Sequence, residues 1–208
     1  MSIVNNHIIT KFEKTIGNGT TNNVYLPFYW YYNYSYGAMI YTKQELGLSR
    51  AVNIKGIRFQ YGRNDPTNAK TALHQYCYLG QVNSDEFAIN VRNGMYQNPY
   101  AGWETTNIIE VKSNFTVDVP NGSTTIEFLF DNYYRYNPES STHPHLLVYW
   151  KSRWTAFESG STSPWTESQA NGKFNSYYDY DDLTSMTDAD AGTRASTGRP
   201  NIELIIEV

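Results

Sequence analysis

A single cysteine, Cys77, excludes an intrachain disulfide framework and any multi-thiolate metal site in this chain of 208 residues. It lies within the run Ala72 to Leu79, where an unpaired thiol is expected to act as a small buried hydrophobe. Charge is scarce too: Asp, Glu, Lys and Arg make up 17% of the chain, too little for a solvated tail or a coiled coil. Sixteen basic against 20 acidic residues leave a net charge of −4, with no Lys/Arg cluster to offset it, so no nucleic-acid partner is expected. Long apolar runs are missing, and nothing approaches the roughly 20 residues of a membrane-spanning helix. The segment Met1 to His7 has neither the basic nor the apolar part of a secretory leader. Helix signals are nearly absent as well. The exception is Thr42-Lys43-Gln44-Glu45-Leu46-Gly47, where Thr42 and Glu45 make a capping box and Gly47 is a C-cap.

What the chain does have is aromatic side chains, 16% of all residues and 19 of them Tyr, far above what a disordered chain carries. It also has period-two alternation. Ile57, Phe59 and Tyr61 alternate with Arg58 and Gln60, and Phe115, Val117 and Val119 with Thr116 and Asp118. Ile126, Phe128 and Phe130 alternate with Glu127 and Leu129, and Ile202, Leu204, Ile206 and Val208 with Glu203, Ile205 and Glu207. Such a period buries one side of a strand and exposes the other. Residues 3–12, 72–82, 105–111 and 146–151 are further strand candidates. Turn chemistry separates them, as in Gly17-Asn18-Gly19, Asn64-Asp65-Pro66 and Pro120-Asn121-Gly122. The fold class expected is all-β: one antiparallel β-sandwich over 1–208, jelly-roll-like, with one short helix near 42–47. Its core should include Ile57, Phe59, Ile126, Phe128, Phe130, Ile202, Leu204 and Ile206, while residues 155–200, rich in Ser, Thr, Asp and Gly, read as long loops.

Tyr and Trp offer flat apolar faces with a polar handle, which suits both protein contacts and sugar stacking. They concentrate in Phe28, Tyr29, Trp30, Tyr31, Tyr32, Tyr34 and Tyr36, with Trp103, Trp154 and Trp165 as secondary contact candidates. Four consecutive aromatics, Tyr29 to Tyr32, cannot all share one face of a strand, so some ring surface is expected to meet solvent or a partner. Asp179, Asp181, Asp182, Asp188 and Asp190 are the one acidic concentration and the weak candidate for Ca²⁺. Asp188 to Gly192 misses the EF-hand pattern, so a solvated loop is the better reading and no cofactor is expected. His143-Pro144-His145 lacks the third ligand a transition metal requires. Glycoside hydrolysis needs two carboxyl groups across a cleft, and none of Glu104, Glu110, Glu127, Glu158 or Glu167 can be paired from spacing. The chain is therefore read as a non-enzyme.

Several segments occur in an order that resembles a β-sandwich, adhesin-like module of Bacteroidota surface and secreted proteins and of their phages. They are Ile16-Gly17-Asn18-Gly19-Thr20; the aromatic stretch from Pro27 to Tyr36; Tyr41-Thr42-Lys43-Gln44-Glu45-Leu46-Gly47; and Ile54-Lys55-Gly56-Ile57-Arg58-Phe59. Gly102-Trp103, Asp131-Asn132 and the closing Arg199-Pro200-Asn201-Ile202 complete the series. The resemblance implies a sandwich with no catalytic centre of its own. The function expected is a virion structural or decoration protein of a Bacteroidota phage, assembled in the host cytoplasm without disulfides. Its partners would be other virion proteins or further copies of itself. The alternative is a secreted or cell-surface carbohydrate-binding module, with a glycoside hydrolase behind both.

Overall fold

The computed structural model describes residues 10–23, 27, 34–61, 70–87, 89–90, 95–96, 108–119, 124–153, 165–169, 173–179, 194–195 and 198–208. Eight long strands carry the architecture: β1 (Lys11–Ile16), β3 (Tyr34–Tyr41), β4 (Val52–Tyr61), β5 (Lys70–Val82), β8 (Ile109–Val119), β9 (Thr124–Tyr136), β10 (His145–Ser152) and β15 (Ile202–Glu207). The remaining strands are β2 (Thr21–Asn23), β6 (Ile89–Asn90), β7 (Met95–Tyr96), β11 (Trp165–Gln169), β12 (Phe174–Asp179), β13 (Arg194–Ala195) and β14 (Gly198–Pro200).

The long strands divide between two sheets, in the orders β1-β15-β4-β9 and β3-β10-β5-β8, with every neighbouring pair antiparallel. Strands β1 with β15, β3 with β10, β4 with β9 and β5 with β8 are nested pairs, as in one long ribbon folded over on itself. That nesting is the jelly roll. Strand β11 joins the first sheet beside β4, with β14 and β2 paired to it, and β12 and β13 extend the second sheet beyond β3.

Alternation explains which residues meet between the sheets. Ile54, Ile57, Phe59, Phe128, Ile202, Leu204 and Ile206 of the first sheet pack against Met39, Tyr41, Cys77, Leu79, Leu146, Val148 and Trp150 of the second. Ile126 and Phe130, expected in the core, are only partly buried and lie against its margin. Trp150 sits at the centre, with its ring 4.9 Å from Phe128, 5.2 Å from Phe115 and 5.8 Å from Phe59. Its indole N–H donates to Gln75 Oε1 at 2.8 Å, and Gln75 Nε2 donates to Ser152 Oγ at 2.7 Å. A buried amide is tolerated there because its polar atoms are satisfied.

Four strands, β11 to β14, lie within the stretch read as loops. Their Ser, Thr, Asn and Gln content hides them from any apolar alternation, and pairing with β2, β3 and β4 holds them in place. The expected strand at 3–12 begins at Lys11 within the described residues, and that at 105–111 begins at Ile109.

The short helix α1 (Lys43–Leu46) forms as its caps predict, with Thr42 and Glu45 making both bonds of the capping box. Gly47 closes it at φ 60°, a left-handed conformation that favours glycine. Glu45 also accepts from Arg199, whose Nη2 lies 2.8 Å from Oε1. Arg199 is buried, bonds the Ile40 carbonyl, and stacks 4.0 Å above the Tyr41 ring. The Tyr41 hydroxyl donates to the Pro200 carbonyl at 3.0 Å. Strand β14 of the first sheet is thereby clamped to β3 and α1 of the second.

Two outcomes are expected. Burial raises the Glu45 pKa, but the hydrogen bonds and charge of Arg199, with the Thr42 donors, outweigh it and hold the carboxyl at about 2 against an ordinary 4.5. The lowered value stabilises the fold above pH 4.5, and that stabilisation is lost as pH falls from there toward 2. Glu45→Gln should therefore cost on the order of 2 kcal/mol at neutral pH, discounted because the side chain is 28% exposed. Urea denaturation at a series of pH values should show the two proteins converging in acid. Trp150→Phe should leave Gln75 Oε1 buried without a donor and open a cavity, costing about 2–4 kcal/mol by the same measurement.

Candidate functional site

The aromatic residues singled out from the sequence separate into different environments. Tyr36 is 5% exposed, with its ring 5.6 Å from Tyr149, whose other neighbour is Tyr78 at 5.6 Å. With Ala38, Ile40, Val82, Phe87 and Leu147 these rings form a second apolar cluster on the outer side of the second sheet. Tyr34 is half-buried against it. A surface contact was expected at Tyr36; its ring is packed inside instead, because β3 is covered on both faces. Trp165 opens β11, in register with Asn23 and Tyr61. Phe28, Tyr29, Trp30, Tyr31, Tyr32, Trp103 and Trp154 lie outside the described residues.

The polar candidates do not converge. Asp179 ends β12, in register with Tyr34, while Asp181, Asp182, Asp188 and Asp190 lie outside the described residues. His143 Nδ1 lies 2.8 Å from Thr142 Oγ1, whereas His145 Nδ1 accepts from the Lys43 backbone N–H at 3.1 Å, so the two imidazoles serve separate local bonds. Among the described residues no group of three or more His, Cys, Asp or Glu side chains is placed to hold a metal ion, and no helix is long and apolar enough to cross a membrane. Burial pushes the Cys77 thiol up, far from a reactive thiolate. Glu104 and Glu158 lie outside the described residues, and Glu167 is a β11 residue in register with Pro200 and Thr21. Burial, then a hydrogen bond to Glu110, raises the Tyr78 hydroxyl, so Glu110 acts here as an acceptor for a structural tyrosine.

Among the described residues, the outer face of the first sheet is exposed, and the register arranges its side chains in three bands across the strands. In one band Glu203 of β15, Arg58 of β4 and Glu127 of β9 stand directly opposite one another. Arg58 bonds Glu203 and the neighbouring Glu13, and its Nη2 lies 2.6 Å from Glu127. Three carboxylates around one guanidinium hold it firmly charged. Hydrogen bonds to Glu203, Glu13 and Glu127 all push its pKa up.

The middle band is Ile205, Gly56 and Leu129, with Glu13 of β1 opposite Ile205 and its carboxylate reaching across to Arg58. A Cβ on Gly56 would meet the Phe128 carbonyl at 2.7 Å, so the side chains of Ile205 and Leu129 close over a position that must stay bare. The far band holds Lys11, Lys55 and Arg135 around Glu207 and Asn53, with Lys11 3.3 Å and Lys55 3.7 Å from Glu207. Here β9 carries three extra residues, because its register to β4 jumps from Tyr134 at Ile54 to Leu129 at Gly56. The bulge turns Tyr133 outward beneath Lys55, whose Nζ is 5.1 Å from the ring centre.

Leu129 is 54% exposed and Tyr133 56%, both on this face. Neither was among the residues picked from the sequence. A signal existed, since Leu129 and Ile205 are aliphatic residues in the polar phase of their strands. Tyr133 had none, because only the bulge aims it outward. Arg58→Ala should leave Glu13, Glu127 and Glu203 facing one another, costing about 1 kcal/mol at low salt. Thermal melts should show that difference narrowing as added salt screens the repulsion. No family model matches this chain, and no curated protein or solved structure matches it either.

Proposed function

We propose that this protein is a non-catalytic assembly module, a virion structural or decoration protein of a Bacteroidota phage, working through protein contacts on the outer face of its first sheet. The observation that carries the reading is the pair Leu129 and Tyr133, more than half exposed on a face whose charged side chains are already ordered in ion pairs. Apolar side chains inside an organised polar rim are the anatomy of a protein interface. Jelly rolls build viral capsid and lectin domains alike, so the fold is compatible with the role without assigning it. Of the glutamates weighed for a glycosidase, Glu127 is paired with Arg58 and Glu110 accepts from the Tyr78 hydroxyl.

One observation favours the carbohydrate-binding alternative. Tyr133 is an exposed aromatic platform near hydrogen-bonding Asn53 and Arg135. Mass spectrometry of particles purified from a host lysate distinguishes the two readings. The chain should be present in stoichiometric amount, and its absence would overturn the virion reading. A glycan array with the purified domain should be blank; reproducible hits lost in Tyr133→Ala would replace assembly with sugar binding.

A further inference from the structure

The three bands on the outer face of the first sheet are electrically unequal. The band at Arg58 has three glutamates against one arginine, two negative charges in excess. The band at Lys55 has Lys11, Lys55 and Arg135 against Glu207, two positive charges in excess. Between them lie Ile205 and Leu129, with Glu13 of β1 beside Ile205 but its carboxylate turned to Arg58, and Tyr133 at the edge toward the basic side. The face is thus acidic at one end, apolar across the middle and basic at the other.

A surface ordered in this way is complementary to itself. Rotation by half a turn about an axis lying in the face, along the apolar band, lays the acidic end of one molecule on the basic end of the other. The same operation places apolar band on apolar band. A two-fold contact demands a self-complementary patch of this kind, in which each residue meets its counterpart's partner. We infer that this face docks onto the same face of a second copy of the chain, an inference that rests on reading it as a contact surface and adds what occupies it. Flanking charges also oppose other modes of association. The edge strand β1 carries Lys11, Glu13 and Lys14, side chains that discourage edge-to-edge pairing while leaving the face free.

The size of the contact sets how it must be observed. Four strands spaced at about 4.8 Å, over about six residues rising 3.4 Å each, give a footprint of roughly 400 Å² per copy. That is about half the usual burial per partner in a stable complex, so one such contact is weak, and many copies in an assembly add up through raised local concentration. Its charge pairing lies close to solvent and is screened by salt over roughly 8–10 Å.

Sedimentation velocity on the whole chain, concentrated and at low ionic strength, tests this. The wild-type protein should show a reversible monomer–dimer equilibrium that salt weakens. Glu13→Lys with Glu127→Lys makes both ends basic, and Lys11→Glu with Arg135→Glu makes both ends acidic. Each double variant alone should lose self-association by roughly tenfold or more, and an equimolar mixture of the two should regain it. Leu129→Asp, at a residue already exposed to water, should weaken the wild-type dimer without help from either end. Circular dichroism establishes that each variant is folded. A wild-type protein that stays monomeric throughout, double variants that dimerise as it does, or a mixture that fails to recover would each overturn the inference. A monomer that is nevertheless found in purified particles overturns the self-docking alone. A dimer absent from those particles overturns the virion reading alone.

Discussion

The buried ion pair between Arg199 and Glu45 is the constraint around which the two sheets are set. An arginine 2% exposed between β-sheets is costly unless its charge and donors are met. Here the Glu45 carboxylate and the Ile40 carbonyl take its two terminal nitrogens and the Tyr41 ring covers its face, while Nε is buried without a partner among the described residues. None of these partners lies near Arg199 in sequence. The pair forms only when β14 has reached β3 and the α1 capping box is closed, so it reports that the ribbon has folded over correctly. Removing the Glu45 charge would leave a buried guanidinium without its counter-ion.

Three segments distant in sequence meet around this clamp. Tyr41, Thr42 and Glu45 come from one segment and Arg199 to Asn201 from another. Asn201 Nδ2 donates to the Gly19 carbonyl at 2.7 Å, which brings in the glycine turn as well. Gly37, just after the aromatic segment, has room for no side chain, since a Cβ would lie 2.1 Å from the Pro27 carbonyl oxygen. These residues hold crossovers and close approaches in place. Their chemistry is structural.

The division of labour between the sheets follows from the same geometry. Strands β3 and β10 of the second sheet are apolar in both phases and are buried on both faces, which removes the Tyr36 and Tyr149 rings from solvent. Strands β4, β9 and β15 of the first sheet alternate strictly over most of their length, so one phase fills the core and the other builds the banded outer face. A surface that is regular, rigid and edged with ion pairs presents its few apolar side chains at fixed spacing.

Local chemistry by itself determined a good deal. Period-two alternation fixed the four clearest strands and their buried phase, because a strand's two sides face opposite environments whatever its partner is. Thr42, Glu45 and Gly47 determined the helix and both its ends, since capping is satisfied within six residues. Cys77 was bound for the core on its neighbours alone. Tertiary structure decided the rest, for reasons that are non-local. Strands β11 to β14 exist because other strands complete their hydrogen bonds, not because their own residues are apolar. Tyr36 was indistinguishable in sequence from an exposed tyrosine until Tyr149 and Phe87 closed over its sheet. The charge bands arose when register brought Glu203 and Glu127, 76 positions apart in sequence, to either side of Arg58. Tyr133 faces solvent because three extra residues in β9 lift it out of phase with the core, and that register is a property of the paired strands, not of either one.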